Sequence, residues 1–328
     1  MTDSGQPNSA PRLIADIGGT NVRFALLPPG STQPQQEQNL ICSDFPGLEQ
    51  AVRHYLSRAG ASGVKAAAFD VATAVTGDLI KLTNSPWTFS IEQTRRALGL
   101  DRLLVINDFT ALALSLPLLQ PSELRKVGGG DGVKGAPIAL IGPGTGLGVS
   151  GLIPSASGWV PIQGEGGHTA FSPSDEREDG VLRVLRGRLG HVSTERLVSG
   201  PGLVAIYEAL CALDHLVAKP LKPEQVTDSG LSEADPHCAE ALRIFCGALG
   251  TAAANLVVTL GARAGLYIGG GVAPRLGDYF FRSPFRTRFE HKGRFSKYLS
   301  QVPAWLIVAE QPALRGLASA LESGFVAA

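Results

Sequence analysis

Asp16 is a carboxylate in an otherwise apolar run, Leu13–Ile17, and two glycines and a threonine follow that run. A buried strand avoids a carboxylate unless the group has a task, so Asp16 is a candidate site residue. Gly18 and Gly19 allow the backbone to approach a ligand closely, and their N–H groups and the Thr20 hydroxyl can converge on a nucleotide phosphate. Asp16 could then hold Mg²⁺ through water beside that phosphate. An ordinary Gly-Gly hairpin with a capping Asp explains the same residues.

Asp108 follows a second apolar run, Leu103–Ile106, and Asn107 stands between the run and Asp108. Ligands of open α/β sheets bind beyond the carboxyl ends of strands, which is where this Asn-Asp pair is placed. Phosphoryl transfer to an alcohol needs a carboxylate that accepts the hydroxyl proton as the oxygen attacks the γ-phosphate, and Asp108 is our candidate for that base. The alternative is that Asp108 is the N-cap of the helix predicted to follow.

A second loop of the phosphate-binding type, Gly142–Gly148, lies between two predicted strands, Ile138–Ile141 and Val149–Ile153. Gly146–Gly151 matches G-x-G-x-x-G, but a dinucleotide site needs a helix after the glycines, so we reject a Rossmann fingerprint. No G-x-x-x-x-G-K-[ST] motif occurs in the chain, which excludes a P-loop.

Three consecutive glycines, Gly269, Gly270 and Gly271, follow the predicted strand Leu266–Ile268. They remove every side chain from a small surface, which suits a flat adenine or ribose lying against bare backbone. A tight turn is the competing explanation.

Glu165 and His168 lie in a glycine-bracketed segment, QGEGGHTAFS. E-x-x-H can mark metal ligands on one helix face, but Gly166 and Gly167 make a helix costly, so we discount a metal. A carboxylate and an imidazole can both orient hydroxyl groups, which favours contact with a sugar; a structural role for His168 is the alternative. Glu195 is either a first-turn helix charge or a third sugar contact.

Polar residues also precede Trp87, where Thr83 and Asn84 are followed by Pro86. Polar groups beside an aromatic ring suit a carbohydrate. They equally suit a capped loop, so the segment alone decides nothing.

Strand and helix patterns alternate along the chain and predict an α/β fold. Helical spacing predicts a helix over 45–59, and the apolar run at 65–71 predicts a strand. Pro28–Leu40 is polar and predicted to be a loop. Ser199 and Gly200 are predicted to end a short helix that begins near Glu195. Longer helices are predicted over Leu203–Leu213, Ala239–Leu260 and Pro312–Leu321.

Length and composition indicate the number of domains and the kinds of partner to expect. The chain has 328 residues, 44% of them hydrophobic, which is enough for about two domains. Its formal net charge is zero, so no global field favours nucleic acid or an anionic membrane, and a small-molecule partner is expected. The four cysteines lack CxxC spacing, which indicates neither a zinc site nor a disulfide framework. The polar first residues and the lack of a long uncharged apolar run predict a cytoplasmic protein.

Eight motifs in a fixed order resemble those of the bacterial-type glucokinases, a branch of the hexokinase, actin and Hsp70 superfamily. They extend from Asp16 to Phe295, within a resemblance that runs to about Leu321, and they read DIGGTNVRFAL, TGDLIKLTN, INDFTA, GPGTGLGV, GEGGH, ERLVSGPGL, IGGGVAPR and FEHKGRF. Eight ordered motifs are far more specific than any one of them. ROK sugar kinases are similar in the first loop, but they usually carry a zinc-binding cysteine cluster that does not follow His168 in this chain. One departure is Ala74, where the family commonly has Pro.

The resemblance implies two actin-like (ribonuclease H-like) α/β domains, residues 1–118 with 309–328 and residues 119–308, with the active site in the cleft between them. It also implies ATP-dependent phosphorylation of glucose at the 6-hydroxyl, with Mg²⁺, in glycolysis. The long helices and an Arg-rich segment, 282–297, hint at a homodimer. Alternatives are a kinase for fructose, mannose or an N-acetylated sugar, and a sugar-responsive binding protein without catalysis.

Carried over residue by residue, the resemblance gives each candidate a role. It makes Asp108 the base and groups the other site residues as the first phosphate loop (Asp16, Gly18, Gly19, Thr20, Asn21), the second phosphate loop (Gly144, Thr145, Gly146), the glucose ligands (Asn107, Asp108, Glu165, His168, Glu195) and the adenosine neighbours (Gly269, Gly270, Gly271).

Overall fold

The computed structural model describes residues 10–82, 85, 87–156, 158–323 and 325. The chain divides into two compact units: unit 1 comprises Met1–Leu119 and Ala309–Ala328, and unit 2 comprises Gln120–Val308. Both units combine a mixed sheet, parallel at its centre, with helices.

Strands and helices follow one another along the chain in both units. Unit 1 contains β1 (Arg12–Ile17), β2 (Asn21–Leu27), β3 (Gln35–Ile41), α1 (Leu48–Arg58), β4 (Ala66–Val71), β5 (Leu79–Lys81), β6 (Thr88–Ser90), α2 (Ile91–Ala97), β7 (Arg102–Asn107) and α3 (Asp108–Ser115). Unit 2 contains β8 (Leu124–Gly128), β9 (Ile138–Pro143), β10 (Leu147–Ser155), β11 (Gly158–Pro161), α4 (Glu176–Leu189), α5 (Gly200–Leu213), α6 (Pro223–Leu231), α7 (Pro236–Leu260), β12 (Gly265–Ile268), α8 (Val272–Arg275), α9 (Asp278–Arg282), α10 (Phe285–Glu290), α11 (Ser296–Ser300) and β13 (Ala304–Ile307). The last helix, α12 (Ala313–Glu322), belongs to unit 1.

The main sheet of unit 1 has the strand order β3-β2-β1-β4-β7. β1 and β2 form an antiparallel hairpin, whereas β1, β4 and β7 run parallel. Parallel strands end at the same edge of a sheet, so Asp16 on β1, Asp70 on β4 and Asn107 on β7 all lie near one edge. The buried face of this sheet packs on the apolar side of α1, including Leu48, and forms one core.

β3 corrects the sequence prediction of a loop over Pro28–Leu40. Residues Gln35–Ile41 pair with β2 at the edge of the sheet, and most of their side chains are exposed. An edge strand with solvent on both faces needs no apolar residues, because backbone hydrogen bonds to its neighbour define it. The sequence of β3 therefore lacks the hydrophobic alternation from which a strand is predicted.

α12 packs against α3 and against the sheet of unit 1. A Cβ atom on Gly316 would lie 1.8 Å from the carbonyl oxygen of Ala111, so the two helices pack too closely at this point for any side chain there. Arg12 on β1 forms an ion pair with Glu322, and the Arg102 guanidinium donates to the carbonyl of Leu321 at 3.1 Å. The predicted helix over Pro312–Leu321 is thereby confirmed and secured to β1 and β7.

The sheet of unit 2 has the strand order β11-β10-β9-β12-β13-β8. β9, β12 and β13 are parallel, and β9 and β10 form an antiparallel pair around the second glycine loop. The carboxyl ends of β9 and β12 lead into Gly144–Gly146 and Gly269–Gly271, respectively. This geometry places both glycine segments at the same edge of the sheet.

α7 is the core helix of unit 2. The Asp235 side chain caps its first turn, Pro236 occupies the first position, and Gly261 ends it in the left-handed region. Among the described residues it is the helix long and apolar enough to cross a membrane by length and composition, and 67% of its most apolar stretch is buried within the protein. A core helix meets the same criteria, and the apolar side chains of α7 pack within the main core of unit 2.

Candidate functional site

The first glycine loop is held by its own hairpin. The Gly18 N–H donates to the carbonyl of Asn21 at 2.9 Å, and the Cys42 N–H donates to that of Thr20 at 2.8 Å. Thr20 and Asn21 are exposed, and Gly18 and Gly19 are half-buried. The loop therefore leaves its backbone and the Thr20 hydroxyl accessible to a ligand at the end of β1.

Asp16 lies at the base of this loop, with a side chain that is 37% exposed. Arg23 faces it across the hairpin, with its Nη1 4.0 Å from a carboxylate oxygen of Asp16. Arg23 was not among the site residues predicted from the sequence. The hairpin register would have found it, because two antiparallel strands joined at Gly18–Gly19 place Asp16 and Arg23 directly opposite each other.

Asn107 and Asp108 lie where β7 ends and α3 begins. Asn107 is the N-cap: its Oδ1 accepts from the N–H of Phe109 at 2.9 Å, and its Nδ2 donates to the carbonyl of Thr73 at 3.3 Å. Asp108 is the first residue of α3, is half-buried, and also accepts from the Phe109 N–H at 2.9 Å. The capping role that we weighed for Asp108 thus belongs chiefly to Asn107.

Asp70 on β4 is a third carboxylate in this part of unit 1 and was missed from sequence. Its side chain is fully buried, and neither oxygen has a described hydrogen-bond partner at normal geometry. Burial above all, and then the nearby Asp16 and Asp108 carboxylates, raise the pKa of Asp70 well above its usual value. The signal that selected Asp16, a carboxylate within an apolar strand, was also present in AAAFDV.

The strand register places Asp70 between the other two carboxylates. Asp16 on β1 pairs with Asp70, and Asp108 directly follows Asn107, which pairs with Val71, so both carboxylates lie near one buried group. Unit 1 therefore brings the first glycine loop and the candidate base to one edge of its sheet.

The second glycine loop is held by residues from elsewhere in unit 2. Within the loop, the Gly144 N–H donates to the carbonyl of Gly146 at 2.8 Å. From outside, the Gly200 N–H donates to the carbonyl of Gly144 at 2.8 Å, and the Leu147 N–H donates to Glu195 Oε2 at 2.9 Å. β10 begins directly at Leu147, which confirms that a strand and not a helix follows these glycines.

Ser199 and Gly200 start a helix, and the prediction that they end one was wrong. The Ser199 hydroxyl accepts from the Gly202 N–H at 3.0 Å and caps α5, which begins at Gly200. Glu195 instead lies in a single short 3₁₀ turn, Thr194–Arg196. The sequence contains a Ser N-cap followed by Pro at the first turn, a start signal that outweighs the helix-breaking tendency of Gly-Pro.

The segment with Glu165 and His168 is a short 3₁₀ turn, Gly166–His168, packed on the start of β10. A Cβ on Gly167 would lie 2.2 Å from the carbonyl oxygen of Leu147, so a larger residue does not fit. Glu165 and His168 are 56% and 61% exposed, with 4.0 Å between Oε2 and Nε2. Both side chains are accessible to a ligand next to the second glycine loop.

Glu195 is joined to that segment through Thr194. The Thr194 N–H donates to the carbonyl of Thr169 at 2.7 Å, and the Thr194 hydroxyl donates to the same oxygen at 3.1 Å. Unit 2 therefore brings the three predicted sugar ligands Glu165, His168 and Glu195 to the second glycine loop.

Gly269, Gly270 and Gly271 also lie beside this loop. The Gly269 N–H donates to the carbonyl of Ile141 at 2.9 Å, and a Cβ on Gly270 would lie 2.4 Å from the carbonyl oxygen of Pro143. Gly270 has a φ of +75° and Gly271 is exposed with open space around it. This close backbone packing and the positive φ explain why residue 270 is a glycine. Gly271 presents the bare surface expected for a nucleoside.

The segment before Trp87 and the predicted magnesium site are the two remaining predictions from the sequence. Thr83, Asn84 and Pro86 lie outside the described residues. Within the part of the chain that the structure describes, no group of three or more His, Cys, Asp and Glu side chains is arranged to hold a metal. Asp16 remains the single carboxylate predicted to bind Mg²⁺, through water.

Comparison with known proteins identifies the family of this chain. The Glucokinase family model matches residues 13–324. A glucokinase of Chromobacterium violaceum is 54% identical over 97% of this chain and 91% of its own length. A glucokinase of Aromatoleum aromaticum is 50% identical over 98% of this chain and 97% of its own length.

A solved structure agrees with these sequence relatives. Glucokinase from an Antarctic psychrotroph superimposes with a TM-score of 0.86 at 34% identity, covering 95% of this chain and 99% of that one. The predicted fold class, two actin-like α/β domains, is confirmed by this likeness together with the two mixed α/β units. This chain belongs to the glucokinase family.

Proposed function

We propose that this protein transfers the γ-phosphoryl group of ATP to the 6-hydroxyl of glucose and releases ADP and glucose 6-phosphate. The observation that carries the proposal is the convergence of Asp16 and Asp108 on one sheet edge, around Asp70. Phosphoryl transfer to an alcohol requires groups that bind the phosphates and a proton acceptor close to them, and both are present at this edge. Family membership over nearly the whole chain supports the same reaction.

In this proposal, unit 2 binds the sugar through Glu165, His168 and Glu195, and unit 1 contributes Asn107 and Asp108. Carboxylate and imidazole groups accept or donate hydrogen bonds to adjacent hydroxyls and fix the ring in one orientation. The exposed side chains of Glu165 and His168 are available for these contacts.

Asp108 acts as the general base. It accepts the proton of the 6-hydroxyl as that oxygen forms a bond to the γ-phosphorus, and the bond to the β–γ bridging oxygen breaks so that ADP carries away the electron pair. The Gly18 and Gly144 N–H groups donate within their own loops. The N–H groups of Gly19, Thr20, Thr145 and Gly146, with the hydroxyls of Thr20 and Thr145, therefore offset the charge on the phosphates in this proposal. The adenosine lies near Gly269–Gly271 in this proposal, and the exposed Gly271 supplies its bare surface.

The residues present fit a magnesium ion. Asp16 is partly exposed at the end of β1 beside the first glycine loop, as a carboxylate that binds hydrated Mg²⁺ must be. When bound, Mg²⁺ neutralises phosphate charge and orients the triphosphate. Asp16 holds it through water in this proposal.

We further propose that the enzyme acts in the cytoplasm as a homodimer, feeds glycolysis, and has neither nucleic acid nor a membrane as a partner. The four free, buried cysteines suit a reducing compartment, and the neutral charge suits a small-molecule substrate. Light scattering on a sizing column measures the predicted mass of twice 34.3 kDa.

A coupled assay for ADP release tests the function. Glucose should be the preferred acceptor in a panel with fructose, mannose and N-acetylglucosamine, because the sugar ligands are those of the glucokinase motifs. Release of ADP with another hexose at much higher kcat/KM would reassign the substrate. Tight glucose binding with no ADP release would indicate the binding protein that we weighed as an alternative.

A further inference from the structure

Glu195 contacts the second glycine loop at Gly146 and Leu147. Its Oε2 accepts from the Leu147 N–H at 2.9 Å. A Cβ on Gly146 would lie 2.6 Å from the same oxygen, closer than a real Cβ approaches another atom. The carboxylate therefore reaches the loop backbone only because residue 146 has no side chain.

The backbone around Glu195 is fixed on both sides. Thr194 donates two hydrogen bonds to the carbonyl of Thr169, and the Ser199 hydroxyl donates to the carbonyl of Glu195 at 2.8 Å. Gly200, which follows Ser199, donates to the carbonyl of Gly144. The side chain of Glu195 thus extends from an anchored segment to the loop.

The two oxygens of Glu195 have different surroundings. Oε2 is used by Leu147, whereas Oε1 makes no hydrogen bond to any residue that the structure describes. The residue is half-buried, so Oε1 can accept from a ligand hydroxyl. A carboxylate held at one oxygen is already oriented for a ligand at the other.

We propose that Glu195 couples the two substrates: a sugar hydroxyl bound at Oε1 holds Oε2 on the Leu147 amide, which orders Gly144–Gly146 for the nucleotide phosphates. The coupling lies within unit 2, because Glu195, Leu147 and Gly144–Gly146 all belong to it. This inference rests on the proposed function and adds to it how binding of one substrate acts on the other. By linkage, nucleotide must strengthen glucose binding by the same factor as glucose strengthens nucleotide binding.

Gly146→Ala tests the coupling while leaving the carboxylate in place. The new methyl displaces Oε2 from the Leu147 amide. Gly144→Ala adds the same methyl to the same loop with nothing within 4 Å of it, and is the matched control. Isothermal titration with Mg²⁺ and the non-hydrolysable analogue AMPPNP gives the nucleotide Kd with and without saturating glucose, and the ratio of the two is the coupling factor.

We expect a factor of about 5 or more for the unmodified protein, within the usual range of coupling energies. Gly146→Ala should reduce the factor to about 1, whereas Gly144→Ala should keep it, whatever that change does to the nucleotide Kd itself. Glu195→Gln is the second variant: with its oxygen on the Leu147 amide, its second position is an NH2 donor that cannot accept from the sugar hydroxyl, so its factor should also fall. If circular dichroism shows that Gly146→Ala does not fold, Glu195→Gln decides.

Outcomes that overturn the coupling are separate from failure of the proposed function. Glucose phosphorylation with a coupling factor of 1 in the unmodified protein would remove the inference and leave the function. So would unchanged coupling in Glu195→Gln or in folded Gly146→Ala. Absence of glucose phosphorylation and of both binding signals would remove the two together.

Discussion

The two glycine loops are held in place in different ways. The first, Gly18–Thr20, is held by its hairpin through Asn21 and by Cys42, which directly follows β3. The second, Gly144–Gly146, is held by Glu195 and Gly200, which lie some fifty residues further along the chain. A glycine loop can therefore be held by its own hairpin or by residues distant in the sequence.

This difference predicts where substitutions matter. A Cβ on Gly18 would meet only the Asn21 carbonyl at 3.2 Å, which a small shift relieves, whereas Gly146, Gly167 and Gly270 all face atoms below 3.0 Å. Alanine should therefore be tolerated less well at Gly146, Gly167 and Gly270 than at Gly18, whereas Gly144 in the second loop has open space around it.

The largest expected effect separates the chemistry of unit 1 from the sugar binding of unit 2. Asp108→Ala should lower kcat by about 10²- to 10⁴-fold, because it removes the proton acceptor, while glucose binding is partly retained. Glu165→Gln should instead weaken glucose binding by about tenfold, since it replaces a charged acceptor. Steady-state kinetics and glucose titration measure both. Near-normal turnover by Asp108→Ala would exclude Asp108 as the base.

The second prediction compares the stability of the loops directly. Gly270→Ala should lower the free energy of unfolding by about 2 kcal/mol or more, because φ is positive and the methyl overlaps the Pro143 carbonyl. Gly18→Ala should cost clearly less. Gly271→Ala, with open space around it, is the control for Gly270. Urea denaturation measures all three, and equal losses at Gly18 and Gly270 would contradict the comparison.

The third prediction concerns Asp70, whose pKa in the folded state is well above the value of 3.8 for a free Asp. A carboxyl that binds its proton more tightly in the folded state contributes stability that is fully present below the unfolded pKa and is lost as the pH rises toward the folded pKa. The loss is about 1.4 kcal/mol per pH unit within that window. Asp70→Asn puts a neutral group of the same shape at this position and should remove this pH dependence of stability.

Denaturation of Asp70→Asn and the unmodified protein between pH 4 and pH 8 checks this sign. The variant should gain stability relative to the unmodified protein as the pH rises from about 4. Parallel stability curves would show that Asp70 has the same pKa folded and unfolded.

The smallest effect is expected for the ion pair beside the first loop. Asp16 and Arg23 are partly exposed and 4.0 Å apart, so Arg23→Gln should change the free energy of unfolding by less than about 1 kcal/mol. A local hairpin does not depend on this contact. A larger loss, abolished by high salt, would show that the first loop also relies on side chains.

The same contrast explains what could be predicted from sequence. The hairpin at Asp16, the strand before Asn107 and the helix over Ala313–Glu322 have local patterns, and all were found. β3 was missed because only its partner β2 defines it, and the helix start at Ser199 was misread as an end. Asp70 required the parallel register with β1 to be recognised as a neighbour of Asp16. The assignment of ligands to the site residues remains a prediction.

The position of α12 in unit 1 has a consequence for synthesis on the ribosome. The sheet residues Arg12 and Arg102 reach the exit tunnel long before their partners in α12 have been translated, and the whole of unit 2 is made in between. β13, a strand of the unit 2 sheet, ends at Ile307 and α12 begins at Ala313, so the two units receive their last elements close together in translation, although the sheet of unit 1 is made much earlier. The sheet of unit 1 is therefore exposed to chaperones and proteases without its last helix for as long as unit 2 is being translated.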